Sequence, residues 1–170
     1  MIKKVLRYYL EIKSLKDLNE VLRPSDDYNI NFVDRKNFQL NKFLYKQIGK
    51  KYRWVDRLAW TEYNWISYTS NNNTFTYVLK KKEDLVGYFE LLFHESKKEI
   101  EIVYFGLLEE YFGKKLGGYL LSEAIKKSFL FKIDRIWVHT CSLDHDYALK
   151  NYITRGMKIY KEENISVEIV

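Results

Sequence analysis

The chain has 170 residues, 46% of them hydrophobic, which is enough for one well-buried core and short for two. A single cysteine, Cys141, excludes an internal disulfide; with no charged-then-apolar leader and no long apolar run, a soluble cytosolic protein is expected. The 29 Lys and Arg outnumber the 23 Asp and Glu, giving a net charge of +6; they are scattered rather than massed on one arm or helix face, and charge alone favours an anionic partner without naming it.

In chain order, Val5 to Ile12 reads as a strand, followed by a short helical piece through Leu15, Leu18 and Leu22. The only proline, in Arg23-Pro24-Ser25-Asp26-Asp27, marks a turn. Tyr28 to Val33 alternates as a strand; Phe38, Leu40, Phe43, Leu44 and Ile48 recur at helical spacing up to Gly49, and Trp60 to Tyr68 forms a second helix. Thr74 to Leu79 and Leu85 to Phe93 predict an antiparallel pair joined by the polar turn Lys80 to Asp84. Glu99 to Phe105 begins with strict alternation, placing Glu99, Glu101 and Val103 on one face and Ile100, Ile102 and Tyr104 on the other. Ile133 to Cys141 is a further strand, and Ala148, Leu149, Tyr152 and Ile153 give a helix ended by Gly156, with Asp144 expected as its N-cap. The run from Met157 to Tyr160 and from Ile165 to Val170 either completes the sheet within one subunit or pairs across two.

Between the strand at 99–105 and the helix carrying Leu116, Leu120, Leu121, Ala124 and Ile125 lies Tyr111-Phe112-Gly113-Lys114-Lys115-Leu116-Gly117-Gly118. Glycines allow close approach and positive φ, and the free N–H groups of the following helical turn point at an anion with the helix dipole behind them. Strand, phosphate loop and helix thus follow one another. The loop lacks the Lys-Ser/Thr end of a nucleotide P-loop and the three-glycine dinucleotide spacing.

With Ala148-Leu149-Lys150-Asn151-Tyr152-Ile153-Thr154-Arg155-Gly156-Met157, this succession resembles the GNAT superfamily of acyl-CoA-dependent N-acetyltransferases over roughly residues 75 to 163. The family's Gln/Arg-x-x-Gly-x-Gly/Ala loop falls on Phe112 to Gly117, with Phe112 in place of Gln/Arg and Lys115 in place of the middle Gly. Its late-helix pattern falls on His145, Ala148, Tyr152, Gly156 and Met157, with Asn and Phe replaced. The resemblance implies an α/β fold: a mixed, mostly antiparallel sheet flanked by helices, whose parallel fourth and fifth strands, counted from Tyr28, splay apart to take the pantetheine arm. A parallel crossover needs about a dozen residues, and Gly113 to Lys132 supplies it. One domain over 1–170 is expected, with an N-terminal extension (1–24), an acceptor side (25–73) and an acetyl-CoA side (74–170).

The implied activity is acetyl transfer from acetyl-CoA to a primary amine in a ternary complex, without a metal. Glu101 matches a family base, with water as the other possible proton acceptor, and Tyr152 matches the acid that protonates the leaving thiolate. The oxyanion donor is expected among the backbone N–H groups of Phe105, Gly106 and Leu107. The backbones of Phe112, Gly113, Lys114, Lys115, Leu116, Gly117 and Gly118 are expected to cradle the pyrophosphate, Lys114 or Lys115 adding charge, and His145 to reach the pantetheine. Trp54, Asp56 and Trp60 are candidates to hold the acceptor ammonium, aromatic packing of their loop against the sheet being an equal reading, and His139 to line its channel. The cluster His139, Cys141, Asp144, His145 has no second ligand cluster for zinc; a thiol nucleophile would want an activating base and an oxyanion site as well, and a lone strand cysteine such as Cys141 reads rather as a small buried hydrophobe. A CoA-binding module without turnover and, behind it, a nucleic-acid binder are the alternatives; monomer and homodimer both stay open.

Overall fold

A computed structural model describes residues 1–168; Ile169 and Val170, the end of the C-terminal run, lie outside the described residues. Seven strands form one sheet in the order β2-β3-β4-β5-β6-β1-β7. These are β1 (Ile2–Ile12), β2 (Tyr28–Phe32), β3 (Thr74–Lys81), β4 (Asp84–His94), β5 (Glu99–Leu107), β6 (Arg135–Cys141) and β7 (Lys158–Glu168). The helices are α1 (Phe38–Gly49), α2 (Glu62–Thr69), α3 (Leu116–Ser128) and α4 (Ala148–Thr154). Among the described residues only β5 and β6 pair in parallel, as expected; they are fifth and sixth in chain order because β1 precedes them. None of the described helices is long and apolar enough to cross a membrane.

Adjacent residues alternate between two cores, as the strand period of two requires. Leu79 and Phe89 join Ile100, Ile102, Ile136, Val138 and the apolar face of α3, whereas their neighbours Val78 and Tyr88 join Leu44 and Ile48 of α1. Helices α3 and α4 thus cover one face, and α1 and α2 pack over β3 to β5 on the other. The N-terminal strand is interior to the sheet: β1 lies between β6 and β7, antiparallel to both, with Val5, Leu10 and Ile12 buried. The C-terminal run from Lys158 pairs with β1 of the same chain.

Three local expectations are corrected. The helical piece through Leu22 shrinks to a 3-10 turn at Leu15–Asp17. Its backbone donors go to tertiary partners instead: Asn19 N–H to the Arg155 carbonyl and Val21 N–H to Ser122 Oγ, each at 2.9 Å, so no helical ladder continues. The alternation of β5 breaks at a bulge, because Glu90 faces Tyr104 while Leu91 faces Ile102, leaving Val103 as the extra residue. Tyr104 therefore packs on the α1 side and Phe105 on the α3 side. Asp144 is not the N-cap of α4, which starts at Ala148 after Tyr147. Its carboxylate instead accepts from Thr140 Oγ1 and, at 3.1 Å, from the Cys141 N–H, closing the turn that ends β6.

Candidate active site

Parallel pairing of β5 with β6 runs only from Glu99 opposite Arg135 to Glu101 opposite Trp137. Beyond that point β5 continues to Leu107 with no partner on its β6 side, and a cavity of about 870 Å³ opens in the wedge. The Val103 bulge adds twist to β5 at the point where the wedge opens. The lumen runs from the α3 N-terminus, past Phe105 and Tyr152, to Glu101, His139 and the loop bearing Trp54 and Asp56. A site of this size in the mouth of a sheet suits an extended small molecule.

The turn between β5 and α3 follows from its backbone. Gly113 adopts φ +75° with open space beside it, and Lys115 adopts φ +61° as the N-cap of α3. No side chain caps α3, so the N–H groups of its first turn are left to a ligand or water. Phe112, Gly113, Lys115, Leu116, Gly117 and Gly118 line the cavity. Lys114 does not; its ammonium lies 5.3 Å from the Tyr111 ring centroid. Lys115 carries a Cβ in a region that disfavours one by about 1–2 kcal/mol, partly offset in a glycine variant by added unfolded-state freedom. Lys115→Gly should therefore raise unliganded stability by about 1 kcal/mol, a gain of roughly 2–4 °C in Tm; a lowered Tm would contradict the strain account. Asn151 Nδ2 donates to the Gly117 carbonyl at 3.1 Å, tying α4 to this turn. His145 lies edge-on to Phe112 at 4.8 Å, and its Nδ1 accepts from the Tyr147 N–H at 3.1 Å, which leaves Nε2 as the donor of the neutral ring.

Further along the lumen, Tyr152 is 6% exposed and packs on Phe105, centroids 6.1 Å apart. No described group hydrogen-bonds its hydroxyl; burial, and after it the Asp144 charge, holds its pKa far above the usual phenol value. Glu101 Oε1 lies 3.1 Å from Nε2 of His94, a partner absent from the sequence expectations, whose ring stacks on Trp137. His139 opens on the lumen beside Tyr9, where partial desolvation, with Arg7 nearby, lowers its pKa. Cys141 has its thiol pKa raised by burial, which disfavours the nucleophilic thiolate. No group of three metal-ligating side chains occurs among the described residues.

The acceptor-side loop is shaped by a buried ion pair. Arg57 and Glu90, 4% and 0% exposed, meet at 3.0 Å, and Asn41 Nδ2 donates to Glu90 Oε1 at 2.9 Å. Arg57 Cζ lies 4.1 Å from the Tyr68 ring centroid and 4.6 Å from those of Trp60 and Tyr104. Trp60, expected to receive a substrate ammonium, thus carries the chain's own cation and lies off the cavity wall, whereas Trp54 and Asp56 line it. Trp54 packs at a 51° tilt against Tyr104, centroids 4.7 Å apart, and on the bare Gly49, where any Cβ would come within 2.6 Å of it. Asp56 Oδ2 accepts from the Tyr104 hydroxyl at 3.4 Å.

Comparison with known proteins sets this geometry in context. A functionally unknown conserved protein from Staphylococcus epidermidis superposes with TM-score 0.67 at 19% identity over 99% of this chain, which spans 64% of that protein's length. An aminoglycoside acetyltransferase from an uncultured soil metagenomic sample superposes with TM-score 0.64 at 13% identity, over 78% of this chain and 90% of that one. The IAA acetyltransferase of Bacillus cereus gives TM-score 0.58 at 20% identity, over 79% of each chain. At these identities the likeness is one of fold. No curated protein sequence matches. The model of the acetyltransferase (GNAT) family matches residues 39–157, from α1 through the wedge to Met157, and the chain belongs to that family.

Proposed function

We propose that the protein transfers an acetyl group from acetyl-CoA to a primary amine by direct transfer within a ternary complex. The observation that carries this reading is continuity: one lumen joins the uncapped α3 N-terminus, the unpaired edge of β5, Tyr152 and Glu101. The donor set fits the thioester ligand, since anion-seeking N–H groups stand at one end and a narrow wedge between strands at the other. Bound there, acetyl-CoA supplies the activated acyl group. In this reading the α3 turn from Leu116 to Gly118 holds the pyrophosphate, His145 reaches the pantetheine, and a backbone N–H at Phe105, Gly106 or Leu107 faces the developing oxyanion.

Glu101 takes the proton from the acceptor ammonium, directly or through water, with His94 as the residue that positions its carboxylate. Tyr152, kept protonated by burial, gives its proton to the departing sulfur. Trp54, Asp56 and His139 form the acceptor end, 25–73 and 74–170 being the acceptor and acetyl-CoA sides of one domain. The aminoglycoside named for one structural neighbour is an amine of the class such an end would take.

The test is thermal unfolding with acetyl-CoA, CoA and ATP at matched concentrations, followed by thiol release with a panel of amines. A ligand at 100 times its Kd stabilises by about 2.7 kcal/mol, roughly 5–10 °C for this size. Both CoA species should stabilise and ATP should not. Absence of any CoA effect would overturn the reading, and binding without thiol release across the panel would make the protein a CoA-binding module.

A further inference from the structure

Six of the seven arginines have an acceptor for the guanidinium or a ring hydroxyl beside it: Arg7 pairs with Glu163 and Tyr9, Arg23 with Asp26, Arg35 with the Thr74 and Asn72 carbonyls, Arg53 with the Glu168 carbonyl, Arg57 with Glu90, and Arg135 with Glu99 and Glu11. The guanidinium of Arg155 has none among the described residues. Its Nε is fully buried without a partner, and burial alone lowers its pKa.

Its position makes this costly. Arg155 lies on the cavity wall with one terminal nitrogen against the first turn of α3, so close that a Cβ on Gly118 would come within 2.3 Å of it. A cation there faces the positive end of the helix dipole, where an anion belongs. The placement is enforced by the backbone. The Arg155 N–H donates to the Asn151 carbonyl at 3.0 Å, its own carbonyl accepts from the Asn19 N–H at 2.9 Å, and Gly156 turns the chain away at φ +111°. Neither Phe112 nor Lys114 brings a charge to this part of the wall.

We infer that Arg155 is a phosphate ligand: beside the first turn of α3, its guanidinium joins the α3 amides on a phosphoryl group of CoA and makes the site selective for the phosphorylated half of the donor. The inference rests on the acetyl-CoA reading above. An incoming phosphate satisfies the orphaned guanidinium and the uncapped amides together, and the glycine at 118 leaves the room for the guanidinium beside those amides.

Calorimetric titration of wild type, Arg155→Gln and Arg155→Lys with CoA, dephospho-CoA and acetyl-pantetheine tests this. Arg155→Gln should weaken CoA binding by about tenfold or more, as expected for loss of a charge-assisted contact, and Arg155→Lys should retain part of the affinity. Acetyl-pantetheine, which lacks every phosphate, should bind all three proteins alike. If the 3′-phosphate is the partner, wild type prefers CoA to dephospho-CoA and Arg155→Gln abolishes the preference; if the pyrophosphate is, both ligands weaken equally. The unliganded Tm of Arg155→Gln should be unchanged or higher, because an unpaired cation leaves a helix N-terminus. Arg155→Gln binding CoA within twofold of wild type would overturn the inference alone, while a wild type that binds no CoA species would overturn the acetyl-CoA reading and the inference with it.

Discussion

Arg57→Ala should destabilise the protein by about 3–5 kcal/mol, because it strands the Glu90 carboxylate in the core with Asn41 as its remaining hydrogen-bond donor. Burial alone would depress the basicity of Arg57; the Glu90 charge more than offsets it, and the guanidinium is held above its ordinary value. For a chain this size the expected loss in Tm is roughly 10 °C. Removing both charges with similar volume, as in Arg57→Met with Glu90→Leu, should recover most of it, since a buried pair is worth little against a well-packed apolar replacement. Arg57 also anchors the loop that presents Trp54 and Asp56 to the lumen, through its N–H to Tyr45 Oη at 3.0 Å and the rings around its side chain. Chemical unfolding of the single and double variants checks both statements; a single-variant loss below about 1 kcal/mol would show that the pair is not truly desolvated.

On the acetyl-transfer reading, Tyr152→Phe should lower kcat by about 100-fold at saturating donor, the lower end of what a positioned general acid supplies. The substitution removes one oxygen with no hydrogen-bond partner among the described residues and keeps the ring on Phe105, so the fold should survive with Tm nearly unchanged. The sign of the pH dependence follows from burial. A phenol whose pKa is raised stays protonated through the whole assay range, so it limits the rate at neither end, and the acidic limb belongs to the acceptor amine and its base. Pre-steady-state thiol release from pH 6 to 10 should give parallel profiles for wild type and Tyr152→Phe. A variant with unimpaired kcat would assign leaving-group protonation to water.

The glycine-containing turn into α3 was legible because it is local. Gly113 and the glycines that open α3 follow from residue types at fixed spacing, whereas the positive φ of Lys115 does not. Tyr152 was legible for the same reason, being one helical turn before Gly156. Other features depend on partners far away in sequence. His94 meets Glu101 only through the β4–β5 register, and the bulge at Val103 that reverses the facing of Tyr104 is a property of two strands together. Trp60 is as well suited to a ligand's cation as to Arg57, and its type alone does not choose between them.

By itself the sequence determined the succession of strand, loop and helix, the charge available for an anion, and the resemblance that the family match bears out. Only the tertiary structure placed β1 between β6 and β7, ended β5–β6 pairing at Glu101 to open the wedge, used Asp144 to close the turn after β6, and left Arg155 alone against α3. Backbone propensity and apolar periodicity act over a few residues and are written in the chain. Which polar group meets which, and which is left without a partner, is decided when segments more than a hundred residues apart are packed into one sheet.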